Sequence, residues 1–305
     1  METIGFTDFL LAITMGNCYT RRVFYQMGNT PASTGGEQEI SISDGLFKGV
    51  LLMNTVRVRN IEIGAGIPKI CVPIVGKTLE EILRSAEEIR TTSADLVEWR
   101  ADWYEDIFDF GKTERMLSDL RDALGEMPLL FTFRTADEGG EKSIETETYV
   151  KLNQKAAESG LTDLVDVEMF RGGEAVRSVL GSAHAHGVKV IMSNHDFCGT
   201  PDQEEIVLRL RKMQELGADI LKIAVMPGSR ADVLTLLSAT EEMTRLYAER
   251  PVITMSMAGS GVISRICGEV FGSAVTFGAV GKTSAPGQMD AEDLAVVLRL
   301  LHGSM

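Results

Sequence analysis

Cysteine is scarce in this chain, four in 305 residues, and Cys18, Cys71, Cys198 and Cys267 form no C-x-x-C pair. That scatter argues against a disulfide frame or a zinc site and fits reduced thiols in a cytoplasmic protein. No apolar run is long enough to span a bilayer. The opening METIGFTDFLLAITMGN has a short apolar stretch, but Glu2 and Asp8 stand where a secretory signal needs basic residues. Positive charge is also short: 30 Lys and Arg against 44 Asp and Glu leave a net charge of −14. Such a balance counts against a general binder of nucleic acid or anionic membranes, though not against a local basic pocket for an acidic metabolite. Nor does a G-x-G-x-x-G loop follow the first strand-like run, which weakens the case for a doubly wound open sheet.

What remains is an ordinary globular composition, 44% apolar and 24% charged, sufficient for a sizeable core. Residues 1–52 differ from the rest. GNTPASTGGEQEISISDG is rich in turn and polar residues, so 1–52 is expected to be a poorly ordered extension, with 53–305 the compact domain. From Val56, VRVRNIEIGAG alternates and then turns, which predicts a short hairpin.

One unit then recurs, an apolar strand-like run followed by helical periodicity. The predicted strands are 70–75, 96–102, 129–134, 164–169, 189–195, 220–225, 252–257 and 275–280. Predicted helices between them and after the last include 78–90, 145–158, 202–215, 230–248 and 291–301. Eight such units in roughly 250 residues indicate an α/β protein of the closed (β/α)8 TIM-barrel type, whose active sites lie at the C-terminal ends of the strands.

Strand alternation narrows the site. In ILKIAV, Lys222 shares a face with Ile220, Ala224 and Met226, while Leu221, Ile223 and Val225 form a bulky apolar face suited to packing on helices. Lys222 therefore points into the enclosure, because an ammonium buried under helices is costly to desolvate. His195, at the C-terminal end of the preceding strand, shares that enclosure. The same parity sets Glu98 and Arg100 against Val97 and Trp99, Thr132 and Arg134 against Phe131 and Phe133, and Asp166 and Glu168 against Val165 and Val167. In the fifth strand polar Asn194 interrupts the pattern. The inner set, Glu98, Arg100, Arg134, Glu168, His195 and Lys222, is more charge than a structural core carries without purpose. For Asp166 and Glu168 a structural ion-pair network is an equal alternative. Met255, Met257, Val275 and Phe277, if they face inward, supply an apolar wall. His184 and His186 fall at a helix end, where histidine complements the dipole.

A buried lysine beside a histidine suggests imine chemistry on a ketone or aldehyde. Desolvation and cations such as Arg100 and Arg134 are expected to lower such an amine from about 10.4 towards roughly 7–8, worth about 4 kcal/mol. The iminium then acidifies the adjacent C–H, and histidine serves as base and later as acid.

DVEM at 166–169 and VIMSNHD at 190–196, with EWRAD, FTFRTADEGGE, MSMAGSGVISR and SAPGQ in the same order, resemble the type I 3-dehydroquinate dehydratase family. The resemblance runs from about Met53 to the C-terminus. It implies a barrel, usually a homodimer, that acts on 3-dehydroquinate without cofactor or metal, as a carbon–oxygen lyase of aromatic biosynthesis. By motif it implies Lys222 as the imine-forming residue, His195 as the acid and base, and Glu138 as the carboxylate orienting His195. It further implies Arg265 on the substrate carboxylate, Glu98, Arg100 and Arg134 on ring hydroxyls, and Ser284 and Gln288 on a closing loop. Pro73 stands where some relatives carry a serine, which removes one hydroxyl contact. The alternatives are another Schiff-base barrel lyase of aldolase type and a noncatalytic barrel that binds a cyclic carboxylate.

Overall fold

The computed structural model describes residues 54–281 and 283–305. The expected extension, 1–52, lies outside the described residues.

The predicted hairpin is present as β1 (Val56–Val58) and β2 (Ile61–Ile63), antiparallel with Val56 opposite Ile63. Barrel strands and helices then alternate. They are β3 (Lys69–Ile74), α1 (Leu79–Ile89), β4 (Leu96–Arg100), α2 (Phe110–Leu124), β5 (Leu129–Thr132), α3 (Thr146–Glu158), β6 (Leu164–Glu168), α4 (Gly173–Ala185), β7 (Lys189–Asp196), α5 (Gln203–Glu215), β8 (Ile220–Val225), α6 (Arg230–Leu246) and β9 (Val252–Ser256). After β9 come two short helices, α7 (Ile263–Ile266) and α8 (Gly268–Phe271), then β10 (Val275–Ala279), a two-residue β11 (Met289–Asp290) and α9 (Ala291–His302). The strands lie in the order β11-β10-β3-β4-β5-β6-β7-β8-β9, and every pair is parallel. A bridge between Val252 and Ser273 joins β9 to the segment entering β10 and closes the ring. Among the described residues no helix is long and apolar enough to cross a membrane.

Period-2 alternation divides the apolar residues into two cores. Val97, Trp99, Phe131, Phe133, Val165, Val167, Leu221, Ile223 and Val225 pack outward against the helices. Inside, residues near the starts of the strands, among them Leu96, Leu130, Leu164, Ile191 and Ile220, pack with Val56, Val58, Ile61 and Ile63 of the hairpin. The hairpin therefore closes the N-terminal mouth and leaves only the C-terminal mouth open to a ligand.

Three strands begin in the same way. Asp95, Asp163 and Asp219 each precede a strand and accept the backbone N–H of a residue on the strand before, Ile70, Leu129 and Val190, at 2.7, 2.8 and 2.9 Å. In the fourth unit Ser273 Oγ takes the N–H of Thr254 at 3.0 Å, and Ala274 donates to Val252 O as Asp95 does to Ile70 O. Three residues beyond Asp95, Asp163, Asp219 and Ala274 stand Glu98, Asp166, Lys222 and Phe277. They form one layer of four side chains from alternate strands, the usual filling of such a barrel.

The structure departs from the expected boundaries in several places; the third predicted strand ends at Thr132 and the helix predicted over 230–248 ends at Leu246. The second predicted strand stops at Arg100 because Ala101–Trp103 form a 3-10 turn. No long helix follows β9, since glycines punctuate that segment: a Cβ at Gly261 would meet Ser256 O at 2.2 Å, and Gly272 ends α8 at φ +100°.

Candidate active site

Alternation in β8 does place Lys222 inward, 3% exposed. Its Nζ lies 3.2 Å from Asp166 Oδ2 and 3.9 Å from Glu98 Oε1, and 4.6 Å from the centroid of the Phe277 ring. Met255, Met257, Val275 and Phe277 do face inward, and with Ile253 they complete an apolar wall opposite the charged strands. The parent motif EWRAD supplies Glu98, which also accepts a hydrogen bond from Thr132 Oγ1 at 2.9 Å.

His195 stands at the C-terminal end of β7. Asn194 points to the outer side, where Arg209 of α5 donates to it at 2.9 Å, so its polarity leaves the parity intact. Glu138 reaches His195 from a 3-10 turn after β5. One carboxylate oxygen accepts from the His195 backbone N–H at 2.9 Å and lies 3.0 Å from Nδ1. The 138–140 turn needs its glycines: Gly139 has φ +82°, and a Cβ there would strike the Phe197 ring at 2.3 Å. Burial raises the Glu138 carboxyl to about 7 even though Arg134 pulls the other way. Burial first, then the charges of Arg134, Lys222 and Arg100, hold the His195 imidazole well below its ordinary value. The resting imidazole is thus neutral and able to accept a proton at Nε2 while Nδ1–H donates to Glu138.

The arginines divide by partnership. Arg100 is gripped by Asp102 through Nε and Nη2, both at 2.8 Å, and its Nη1 reaches Ser284 O at 3.5 Å. Arg134 donates to Asp166 at 2.7 Å, Glu168 at 2.9 Å, Ser193 at 3.0 Å and Glu138 at 3.5 Å. Arg265 differs. It is 2% exposed and carried on α7, and among the described residues no carboxylate pairs with it. Nη2 donates to Pro286 O at 3.2 Å, Nη1 makes a long contact to Met255 Sδ, and Nε has no partner. Burial lowers this guanidinium to about 10. A buried, unpaired guanidinium is strongly disfavoured unless an anion arrives.

The segment 284–288 is tied down beside Arg265. Ser284 N–H donates to Gln288 Oε1 at 2.8 Å, Gln288 Nε2 donates to Ser284 Oγ at 3.0 Å, and Ala258 N–H donates to Pro286 O at 3.2 Å. Gly287, at φ +80°, lies so close that a Cβ would meet Ala258 O at 2.4 Å. One cavity is lined by Lys222, His195 and Glu138, by Glu98, Arg100 and Arg134, and by Arg265, Ser284 and Gln288. All nine residues expected at the site therefore meet in one place. Pro73 is buried on β3 opposite Glu98, on the inner parity of Cys71.

One participant was not assigned a site role from the sequence. Asp102, fully buried, orients Arg100 and also accepts from the backbone N–H groups of Arg134 and Glu141, joining two loops. Asp166, weighed from the sequence as an ion-pair residue, and Phe277, expected in the apolar wall, flank Lys222. Glu168 behaves as the structural reading supposed: it accepts from Thr135 N–H and Oγ1 and from Arg134, which fixes the loop that carries Glu138. His184 and His186 end α4 as expected, on Asp219 at 2.8 Å and Ser182 O at 2.8 Å.

A closed parallel barrel with a buried lysine, a carboxylate-backed histidine and a buried arginine without a carboxylate partner at the strands' C-terminal ends fits a barrel lyase of the imine-forming class. The pattern of the family described as Type I 3-dehydroquinase matches residues 70–305. Curated relatives include the 3-dehydroquinate dehydratase of Listeria welshimeri, 56% identical over 250 residues that cover 82% of this chain and 99% of the relative. That of Clostridioides difficile is 54% identical over 250 residues, 82% of this chain and 98% of the relative. A solved type I 3-dehydroquinate dehydratase from Clostridium difficile, with covalent modified comenic acid, superposes with a TM-score of 0.82 at 53% identity, covering 83% of this chain and all of that one. The chain belongs to the type I 3-dehydroquinase family.

Proposed function

We propose that this chain dehydrates 3-dehydroquinate to 3-dehydroshikimate through an imine formed on Lys222. The observation that carries the reading is the contrast inside one cavity: Lys222, Arg100 and Arg134 all have carboxylate partners, whereas buried Arg265 has none among the described residues. A substrate carboxylate is the partner it lacks, and a ketone held by that clamp over the barrel centre comes within reach of Lys222 Nζ. The covalent modification in the C. difficile relative supports a nucleophile in such a site.

In this reading the Lys222 ammonium first passes a proton to His195, the amine attacks the ketone, and His195 returns that proton as water leaves to give the iminium. That cation withdraws electrons from the neighbouring carbon, and neutral His195 removes the C2 proton. Protonated His195, its charge held by Glu138, then assists departure of the C1 hydroxyl as water, and hydrolysis of the imine releases the product. Glu98, Arg100 and Arg134 hold the ring hydroxyls and the charge balance, and Ser284 and Gln288 close the mouth and exclude bulk water. The same reading makes the enzyme a cytoplasmic homodimer, which light scattering of the purified protein and cell fractionation test.

The deciding experiment is incubation with 3-dehydroquinate and sodium borohydride, followed by peptide mass spectrometry. A reduced adduct on the peptide carrying Lys222, lost together with turnover in Lys222→Ala, is the expected result. Dehydroshikimate formation with no adduct would overturn the imine mechanism.

A further inference from the structure

The partners of Asp166 are divided between its two oxygens. Oδ1 accepts from Arg134 Nη2 at 2.7 Å and from Ser193 Oγ at 2.6 Å, while Oδ2 accepts from Lys222 Nζ at 3.2 Å. The Phe277 ring, centroid 4.6 Å away, also lies against Nζ. Lys222, Asp166 and Phe277 are all buried and stand in the same layer of the barrel. A cation at Nζ is therefore held between a carboxylate oxygen and a π face.

We propose that Asp166 is the counter-ion of the iminium on Lys222, keeping the imine protonated and fixing the plane of its C=N bond. This rests on the imine reading above and adds a residue and a role to it. The charge balance supports it. An ammonium and a ketone become an iminium and water: the Nζ–C bond forms, the C–O bond breaks, and the ketone oxygen departs with two of the three ammonium protons. The charge on Nζ is the same before and after, so the acid that balances the ammonium also balances the iminium. Where the ammonium had three N–H bonds the iminium has one, and Oδ2 lies in position to accept it. Without that anion the cation would face Arg134 and Arg100, and an imine that sheds its proton is too weak an electron sink to acidify the adjacent C–H. The donors on Oδ1 moderate the opposite risk, an iminium held too tightly to pass on to the enamine.

The other groups that bear on Nζ come from every side of the barrel. Glu98 on β4 is 3.9 Å away, already shares its carboxylate with Thr132, and is the weaker anion for Nζ. The charge of Lys222 acts on His195 of β7 and on the Cys71 thiol of β3, which burial and then Glu98 push well up. Phe277 of β10 and Met255 of β9 bring no charge.

The test is the pH dependence of borohydride trapping and of kcat in the full chain, for the parent, Asp166→Asn, Asp166→Glu and Ser193→Ala. In Asp166→Asn the alkaline limb of both should move to lower pH by about one unit or more, the usual size for loss of one adjacent charge, with KM little changed because Arg265 is intact. Asp166→Glu should restore the limb towards the parent position. Ser193→Ala removes a donor from Oδ1, leaves more negative charge for Nζ, and should move the limb to higher pH. Should Asp166→Asn not fold, the Ser193→Ala shift decides. A folded Asp166→Asn whose trapping and kcat profiles superimpose on the parent's would overturn the proposal, and so would an unmoved or acid-shifted limb in Ser193→Ala. If the parent itself forms no adduct at any pH, the imine reading has failed and the counter-ion with it.

Discussion

At the N-terminal mouth of the barrel Arg59 and Arg121 share Asp163, at 2.6 and 2.9 Å, and a third bond to Asp163 comes from the backbone of Leu129. At the C-terminal mouth Arg265 is more deeply buried than Arg59 and, among the described residues, its polar contacts are a proline carbonyl and a thioether. The same guanidinium group is thus paired with a carboxylate at one end and, among the described residues, with none at the other. The difference teaches where stability is invested. At the plugged end the charges latch the hairpin to the strands, and at the open end a buried charge stands without a carboxylate partner among the described residues, the partner that the proposed reading assigns to a ligand.

The sharpest way to break that comparison is Arg265→Met. If Arg265 is reserved for a substrate anion, kcat/KM should fall about 10²- to 10³-fold, equivalent to roughly 3–4 kcal/mol for a lost charge-assisted pair. Thermal stability should hold or rise, since an unsatisfied buried charge is removed without opening a cavity. Steady-state kinetics and a calorimetric melt on the same sample check both halves. A variant that melts much earlier would mean that Arg265 is structural after all.

The mirror experiment is Asp163→Asn. It leaves two guanidinium groups facing an uncharged amide at the hairpin, at a cost of about 3 kcal/mol and a drop of roughly 6–12 °C in Tm. Turnover by the folded protein should be unchanged, because the latch and the cavity lie at opposite ends of the strands. A change in kcat comparable to that of Arg265→Met would erase the distinction between the two mouths.

How much of this was legible in the sequence depends on the length scale of the signal. Period-2 alternation over five or six residues is set by the pleat, so it correctly sorted Glu98, Arg100, Asp166, Glu168 and Lys222 inward, while Arg134 reaches the same interior from two residues past the end of β5. It had no purchase on a 3-10 turn, and so Asp102, the staple for Arg100, was read as the last residue of a strand. Asn194 looked like an exception because its outer partner, Arg209, sits on a helix fifteen residues away. The short helices after β9 were hidden because close backbone approach at Gly261 is a tertiary constraint. Motif resemblance supplied Glu138, Arg265, Ser284 and Gln288, none of which lies on a regular strand where alternation operates.

A subtler difference between the mouths lies in their pH dependence, and Glu138→Gln exposes it. The Glu138 carboxyl is pushed up to about 7 in the folded protein, chiefly by burial, from an ordinary value of 4.5. Below pH 4.5 folded and unfolded states both hold the proton, and the carboxyl contributes its full share of stability. As pH rises from 4.5 through 7 the unfolded state ionises first, and that share is lost, by at most roughly 3 kcal/mol. Activity should run the other way. The ionised carboxylate is the form that accepts from His195 Nδ1–H and holds the imidazolium, so kcat/KM should climb on an acid limb near pH 7. The parent is then expected to become less stable and more active over one pH window. Glu138→Gln does not titrate, and it should flatten the stability slope between pH 4.5 and 7 while lowering kcat and removing that limb. Denaturant unfolding and kcat/KM measured across this range decide the matter. If the variant keeps the parent's stability slope, burial of Glu138 is not the source of the strain at the open mouth.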